Sequence, residues 1–404
     1  MTKKFIIQFI AVVLIVSSAG VAVYATFRSS DNADKNLVFS DRTLLSGLWD
    51  NYKKVYWEKD TGRTLDKQQN NITTSEGQSY TMLRAVWQSD RDTFDKSWTW
   101  TKGHMNRPND ALFAWKWGQK SDGTYGTLTD QGGQNTASDA DSDIALSLIM
   151  AASRWQNQSY LNEAKAIVSD MWKNEVITVK GTPYLASNNL EKDSSKDAIV
   201  NPSYFAPYAY RLFAKIDKDH DWSGLVTSSY DVINKSIDLK LDKGSSAKIV
   251  PDWIALNKDT GELAAVQDTS TLTTNYGYDA MRTPFRLALD YQWNQEPRAK
   301  DTLSKLSFFK DQWEKNGKIY STYAHDGSVI KSDEVAETYA TVLGYFSVVE
   351  PTIASEIYDK KLKPLYDQNT NSWTNPMTYY GDNWAWFGIA LHDNKLDNLS
   401  ADLK

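Results

Sequence analysis

The sequence of 404 residues contains no cysteine and only four histidines, at positions 104, 220, 325 and 392. The absence of cysteine excludes disulfide bonds, thiolate nucleophiles and cysteine-ligated metals. The histidines lack zinc-site spacing, and the chain has neither a Gly-x-Ser-x-Gly motif nor a phosphate-binding glycine loop. Acidic residues at 217, 219 and 221 resemble the start of a calcium loop, but the glycine and glutamate that complete such a loop are missing. We therefore expect neither a metal ion nor a cofactor.

A concentration of positive charge is also missing. The 45 basic and 51 acidic residues are spread along the chain, and the net charge is −6. A nucleic-acid partner is not expected, because neutralising phosphates requires a concentrated basic surface. Aromatic residues, in contrast, are abundant, with 16 tryptophans and 22 tyrosines. Most of these rings are expected in the core, but some can line a carbohydrate-binding cleft by stacking on sugar rings.

The N-terminus indicates the cellular compartment. Lys3 and Lys4 precede an uncharged run over residues 5–27, which is long enough to cross a bilayer as a helix. Positive charge on its N-terminal side predicts that the rest of the chain lies outside the cytoplasm. The length of the run favours an uncleaved membrane anchor, and a cleavable signal peptide ending near Ala25 is the alternative. The expected location is extracytoplasmic, at the membrane through this helix, or secreted if the segment is cleaved.

The remaining chain predicts a single domain. Residues 1–28 form the predicted anchor or signal peptide, residues 29–37 a polar tether, and residues 38–404 the domain. Amphipathic helical periodicity is clear over residues 41–57 and recurs to the end of the chain. Further amphipathic runs begin near Glu76, Asp92, Ala111, Asp141, Tyr160, Ser203, Gly224, Tyr276, Pro297, Asp333, Thr352 and Asn383.

About a dozen helices with few strand signals, such as those at 176–179 and 248–250, predict an all-α fold. A barrel of helical hairpins, with an inner ring inside an outer ring, fits this pattern, and so does an irregular helical bundle.

Carboxylates remain as candidates for acid–base chemistry. Glu76 begins a helical segment, and Thr73-x-x-Glu76 is also a capping box, in which the glutamate only caps the helix. Asp139, Asp141 and Asp143 precede an apolar helix whose dipole favours anions there. Three acids so close together repel one another, which suggests a function for at least one of them.

Asp279 is a further candidate, in a segment of aromatic and apolar residues. Arg282 follows three residues later, close enough on a helix to pair with it. A structural ion pair is one interpretation. A carboxylate kept ionised by an arginine is also what a general base requires.

Read together, these segments resemble glycoside hydrolase family 8. The resemblance rests on four blocks in the family's order, at residues 75–80 (SEGQSY), 137–141 (ASDAD), 201–204 (NPSY) and 278–282 (YDAMR). Residues 113–118 (FAWKWG) are a further similarity, and the whole spans roughly residues 40 to 390. One block alone is weak evidence for the resemblance, but four blocks in the same order are specific for the family. The resemblance implies an (α/α)6 barrel and inversion at the anomeric carbon.

The resemblance also implies roles for individual residues. Glu76 is similar in position to the family's general acid, and Asp279 to the general base of its Asp-containing subgroup. Asp141, with Asp139 as second choice, resembles the third acid, which binds the distorted sugar at the cleavage point. If Glu76 is the acid, we expect it to face a cleft opposite Asp279, while Thr73 or a neighbouring threonine caps the helix.

The remaining substrate-binding residues follow from the same blocks. Tyr204 and Arg282 resemble residues that position the sugar and the base. Trp115 or Trp117 is similar in place to a stacking platform, and Tyr278 is expected to contact substrate beside the base.

The function expected from the resemblance is endo-acting hydrolysis of a β-linked polysaccharide, with β-1,4 the favoured linkage. The family includes cellulases, xylanases, chitosanases and lichenases, and some members act beside polysaccharide synthases. Anchoring at the outer surface favours the cell's own exopolysaccharide or biofilm glycan as substrate, with a synthase complex as partner, and we expect a monomer. The alternatives are a polysaccharide lyase on a similar helical toroid and a non-catalytic glycan-binding protein derived from the enzyme.

Overall fold

The structure, a computed structural model, describes residues 44–194, 197–267 and 272–403. The predicted anchor at 1–28 and the tether at 29–37 lie outside these ranges and stay predictions. Within the ranges, no helix has the length and apolar character needed to span a membrane.

Helices dominate the described chain. In chain order they are α1 (Leu44–Tyr56), α2 (Ser75–Trp87), α3 (Arg91–His104), α4 (Ser138–Trp155), α5 (Gln158–Glu175), α6 (Leu190–Asp193), α7 (Pro207–Ile216), α8 (Trp222–Asp238), α9 (Arg282–Asn294), α10 (Pro297–Ser304), α11 (Phe308–Asn316), α12 (Ala336–Val349), α13 (Pro351–Ile357) and α14 (Tyr379–His392). Single turns of 3-10 helix lie at Thr129–Gln131, Pro202–Tyr204 and Lys363–Leu365, and a π-helical turn at Tyr358–Leu362.

Six inner helices form a closed ring. Contacts run from α2 to α4, α7, α9, α12 and α14 in turn, and α14 returns to α2. Each inner helix also packs against an outer helix next to it in sequence or, for α14, against α1: the pairs are α2–α3, α4–α5, α7–α8, α9–α10, α12–α13 and α14–α1. The domain is therefore a barrel of six helical hairpins, which confirms the predicted (α/α)6 architecture.

The burial of the helices follows their place in the barrel. Outer helix α1 has one buried face, which includes Leu48, Trp49 and Tyr52, as its periodicity predicts. Inner helix α4 is buried on all sides from Ser138 to Ala151, because it has neighbours in both rings. Such a helix shows little amphipathic pattern in its sequence.

The two ends of the described chain close the ring together. The buried Arg84 of α2 donates from Nη1 to Asp382 Oδ1 of α14 over 2.9 Å. Asn383 of α14 donates to the Tyr52 hydroxyl over 3.2 Å, and that hydroxyl lies 2.8 Å from Thr81 Oγ1 of α2. These contacts join the last inner helix to the first hairpin.

Small antiparallel sheets occupy the connections between helices. Their strands are β1 (Trp57–Glu58), β2 (Arg63–Thr64), β3 (Thr73–Thr74), β4 (Lys116–Gln119), β5 (Tyr125–Thr127), β6 (Val176–Val179), β7 (Thr182–Leu185), β8 (Asp197–Val200), β9 (Ile254–Asn257), β10 (Leu263–Ala264), β11 (Thr322–Tyr323), β12 (Val329–Lys331), β13 (Tyr366–Asp367) and β14 (Ser372–Trp373). The sheets are β1–β2, β3–β4–β5, β6–β7, β8–β9–β10, β11–β12 and β13–β14.

Two local predictions were wrong. The amphipathic run near Ala111 forms no helix, because its residues enter β4, where Trp117 pairs with Thr73 of β3. The predicted strand at 248–250 is irregular, whereas the strand predicted at 176–179 is β6. Pairing with the distant strand β3 decided the first case.

Candidate active site

The N-terminal ends of four inner helices converge on one region. Glu76 lies in the first turn of α2 and Asp139 in the first turn of α4. Arg282 is the first residue of α9, and Tyr379 the first residue of α14. Residues distant in sequence therefore meet because the inner helices present the same ends to the same side of the ring.

Arg282 is the centre of this region, and its side chain is 1% exposed. Its Nη1 lies 3.0 Å from Glu76 Oε2 and 3.1 Å from Asp139 Oδ2, while Nη2 donates to the Asp279 carboxylate. Its Nε donates to Ser203 Oγ over 3.0 Å. One guanidinium thus contacts three carboxyl groups, and its single positive charge cannot balance three negative charges. The arrangement favours a proton on at least one of the three.

Glu76 is the carboxyl best suited to hold that proton. Burial raises its pKa to about 7, since the charge of Arg282 offsets the cost of burial only in part and the charges of Asp139 and Asp279 raise the pKa further. The Tyr379 hydroxyl donates to its Oε1 over 3.2 Å, and 22% of the side chain stays exposed. The carboxyl can therefore reach a ligand.

Helix capping does not occupy Glu76. The N-cap of α2 is Thr74, whose Oγ1 accepts the Gly77 amide over 3.0 Å. The expectation that a threonine caps this helix without Glu76 is confirmed. The capping-box interpretation was wrong because the helix begins at Ser75, which places Glu76 at the second position of the helix instead of the third.

Asp279 faces the same region from the turn before α9. Its side chain is 30% exposed, and its contact with Nη2 of Arg282 keeps it beside a permanent positive charge. It lines a cavity of about 430 Å³ together with Tyr278, Tyr379 and Tyr380. Tyr278, predicted to contact substrate, is 37% exposed in this cavity.

The structure reverses our order of preference between Asp141 and Asp139. Asp139 contacts Arg282, whereas Asp141 Oδ1 accepts the Phe113 amide over 3.2 Å on another side of α4. Burial, followed by the charge of Glu175 on α5, raises the pKa of Asp141 well above its usual value. Two residues along a helix differ by roughly 200° in direction, so the two aspartates cannot point the same way.

Asp143 lies one helical turn after Asp139, and its partner Arg286 lies one turn after Arg282. Asp143 Oδ1 and Oδ2 accept from Nη1 and Nη2 of Arg286 over 3.0 and 2.9 Å, and all four atoms are buried. This bidentate pair fixes α4 against α9 directly beneath the carboxyl cluster.

Aromatic rings extend the site next to Arg282. The guanidinium of Arg282 lies 5.0 Å from the centroid of the Tyr204 ring, which packs edge-to-face on Trp253 at 5.7 Å. Tyr204, Trp253 and Trp115 line a cavity of about 360 Å³. Tyr204 therefore contacts the centre of the cluster and Trp115 shares its cavity, while their roles in binding sugar stay predictions; Trp253 was missed.

Trp117, the alternative platform, packs elsewhere. It is 9% exposed, and the Arg63 guanidinium lies 4.6 Å from its ring centroid. Trp100 of α3 and Tyr125 of β5 contact its ring at 5.0 and 5.4 Å. Because β4 carries Trp117 into the packing between the small sheet and α3, it lines neither cavity.

Besides Trp253, the sequence reasoning missed Tyr379 and Tyr380. The last amphipathic run of the chain was expected to begin near Asn383, but α14 begins at Tyr379 with Thr378 as its N-cap. The preceding Thr378 was the available signal. No group of acidic or histidine side chains in the described ranges has the arrangement of a metal site.

Comparisons with known proteins agree with this geometry. The family model of glycosyl hydrolases family 8 matches residues 17–392. Endoglucanase C of Ruminiclostridium cellulolyticum is 27% identical over 387 residues, which cover 93% of this chain and 75% of that protein. An endoglucanase of Escherichia coli K12 is 29% identical over 278 residues, covering 67% of this chain and 68% of the relative.

Solved structures share the fold. An endo-1,4-D-glucanase from Vibrio fischeri superposes with a TM-score of 0.70 at 24% identity, over 86% of this chain and 95% of that one. A beta-1,3-1,4-glucanase from Paenibacillus sp. X4 has a TM-score of 0.70 at 22% identity, over 87% and 91% of the two chains. With the family model spanning nearly the whole barrel, the chain belongs to glycosyl hydrolases family 8 and is a glycosidase.

Proposed function

We propose that this protein is an endo-acting, inverting hydrolase of β-1,4-linked glucan, with Glu76 as general acid and Asp279 as general base. The observation that carries the proposal is the pair of environments around Arg282. Burial raises the pKa of Glu76 to about 7. Asp279 is more exposed and pairs with a different guanidinium nitrogen, Nη2 of Arg282. Two carboxyls in different environments are what opposite proton-transfer roles require.

The proposed reaction donates a proton on one side of the sugar and accepts a proton on the other side. Glu76 donates its proton to the glycosidic oxygen as the bond to the anomeric carbon breaks. Asp279 accepts a proton from a water that attacks this carbon from the opposite face, which inverts its configuration. An inverting pair needs a carboxyl separation of about 6.5–9.5 Å so that the water fits. Exchange with solvent then removes the proton from Asp279 and returns one to Glu76.

Arg282 and Asp139 have supporting roles in this proposal. Arg282 contacts Asp279 through Nη2 and orients both Glu76 and Asp139 through Nη1. Asp139 replaces Asp141 as the acid that binds the sugar at the cleavage point, because it lies within the cluster. Tyr204 stacks beneath the guanidinium and fixes its plane.

Endo action is supported by two cavities that adjoin the cluster. One is lined by Asp279 and the other by Tyr204, which leaves room for several sugar units of a longer chain. The printed names of the relatives, endoglucanases and an endo-1,4-D-glucanase, support a β-glucan as substrate. None of the described residues that line these two cavities is lysine or arginine. That composition favours a neutral glycan over the uronate that a lyase binds.

A polysaccharide panel tests the proposal. Reducing ends are measured after incubation with soluble cellulose derivatives, mixed-linkage β-glucan, xylan and chitosan, and the first anomer formed is observed by proton NMR. We expect internal cleavage of β-1,4-glucan, seen as a rapid fall in viscosity, with the α-anomer released first. A β-anomer would contradict inversion, and no release from any polymer would leave the non-catalytic glycan-binding protein as the better interpretation.

The location is a separate proposal from the sequence. We propose an extracytoplasmic enzyme, held by residues 1–28 or secreted, that acts on the cell's own exopolysaccharide beside its synthase. The uncharged run and the preceding lysines support export. Fractionation of producing cells and the N-terminal sequence of the mature protein test it, because a start after Ala25 indicates cleavage and a start at Met1 or Thr2 indicates an anchor.

A further inference from the structure

Asp252 is a buried aspartate directly behind the proposed base. It lies just before β9 and is 8% exposed. Its Oδ1 accepts the backbone amides of Gly277 over 3.0 Å and Ala280 over 2.7 Å. These amides flank Tyr278 and Asp279, so one oxygen atom closes the turn that carries the base.

Backbone hydrogen bonds also join residues 252 and 253 to the residues just before this turn. The amide of Asp252 donates to the Asn275 carbonyl over 2.6 Å, and that of Trp253 to the Thr273 carbonyl over 3.0 Å. A β-carbon on Gly277 would lie 2.7 Å from Asp252 Oδ2. The close approach of the carboxyl therefore depends on glycine at this position.

We propose that Asp252 is a positioning residue for the general base. It fixes the turn at 277–280, so that Asp279 contacts Arg282 and faces the cavity in which the attacking water would lie. The proposal rests on the role of Asp279 proposed above. Asp252 itself lines neither of the two cavities at the site, and it acts only through the turn.

The charge state of Asp252 defines how it does this. Burial, followed by the nearby charge of Asp279, raises the pKa of Asp252 to about 8, although both amide donors oppose the shift. At neutral pH the carboxyl is therefore mostly protonated. Its Oδ1 accepts the two amides as a neutral carbonyl oxygen. An asparagine has the same acceptor without a charge, so it should replace Asp252 almost fully.

Three variants separate positioning from general stability. Asp252→Asn keeps the acceptor, and Asp252→Ala removes it. Asp221→Ala is the matched control, because Asp221 is exposed at the N-cap of α8 and its Oδ1 likewise accepts a backbone amide, that of Gly224, over 2.8 Å. For each variant, kcat and KM on soluble β-glucan are measured across pH, together with Tm.

We expect Asp252→Asn to keep kcat within threefold of the wild type. Asp252→Ala should lower kcat at least tenfold with KM within threefold, because a misplaced base loses part of a contribution of about 10²–10⁴. Asp221→Ala should lower only Tm.

Different results overturn different conclusions. If Asp252→Ala lowers Tm but keeps the wild-type kcat, Asp252 is only structural and the proposal fails. If Asp252→Ala does not fold, Gly277→Ala replaces it, because its methyl group displaces the same carboxyl, and the same loss of kcat is expected. Asp279→Asn is measured in parallel. Retained turnover in that variant would overturn the base assignment together with this proposal, whereas its inactivity beside a fully active Asp252→Ala would overturn this proposal alone.

Discussion

Replacing Glu76 with glutamine tests the centre of the proposed mechanism. The amide keeps the size of the side chain and can still bond to Tyr379, but it has no acidic proton. Because Thr74 caps α2, the helix should remain intact. We expect kcat on β-glucan to fall by about 10²–10⁴, the usual contribution of a general acid, and this loss corresponds to about 3 to 5 kcal/mol of transition-state stabilisation.

The pH dependence has a definite sign. Glu76 acts only when protonated, and burial raises its pKa to about 7. Wild-type kcat/KM should therefore fall about tenfold for each pH unit well above 7. The alkaline limb should disappear in Glu76→Gln, because the residue that titrates is gone.

An activated substrate distinguishes proton donation from a structural role. A dinitrophenyl β-cellobioside has a leaving group that departs without protonation, so Glu76→Gln should keep most of its activity on it. The control is Glu175→Gln, which removes another buried glutamate whose pKa is raised to about 7 but which lies on α5, outside the carboxyl cluster. Glu175→Gln should keep the activity and the alkaline limb. An equal loss on both substrates in Glu76→Gln would refute the assignment of the general acid.

Three further predictions concern stability and binding. Burial raises the pKa of Glu175 to about 7, so its contribution to stability is fully present below the usual glutamate pKa and is lost as pH rises through 7. The loss amounts to about 3 kcal/mol of unfolding free energy. In urea unfolding, the difference between the free energies at pH 5 and pH 8 should therefore be smaller in Glu175→Gln than in the wild type. Asp143→Asn should destabilise by about 3–5 kcal/mol in urea unfolding because it leaves Arg286 buried without its carboxylate, and a second change, Arg286→Met, should recover part of the loss. Trp253→Ala should raise KM for cellohexaose roughly tenfold or more, as expected for about 1.5–3 kcal/mol of lost apolar contact, while kcat changes little. Trp117→Ala should instead lower Tm and leave KM unchanged, and the opposite pattern would contradict the assignment of the two rings.

The helices could be predicted from the sequence, but the closure of the ring could not be read from periodicity. The pattern at 41–57 predicts α1 well, because an outer helix has one apolar face. Closure depends on contacts such as that of Arg84 with Asp382, which are 298 positions apart. No local spacing encodes such a pair, and for this reason an irregular bundle fitted the periodicity equally well.

Site residues were predictable where family-like blocks surround them and were missed elsewhere. Glu76, Asp279 and Arg282 lie within such blocks and meet as expected. Asp252 and Trp253 lie outside them, and their roles depend on backbone pairing with a turn more than twenty residues later. Nothing in the local sequence distinguishes an aspartate next to a tryptophan at such a position from the same pair elsewhere.

The order of Asp139 and Asp141, in contrast, could have been obtained from the sequence. Acids at 139, 141 and 143 alternate like residues of a strand, but the segment is helical, so only positions four apart share a face. Arg282 and Arg286 have the same spacing of four at the start of α9. Where the starts of two inner helices converge, a four-residue spacing of aspartates on one and of arginines on the other forms two ion pairs only if Asp139 and Asp143 face the arginines. Asp141 then necessarily points away, toward α5, where it meets Glu175.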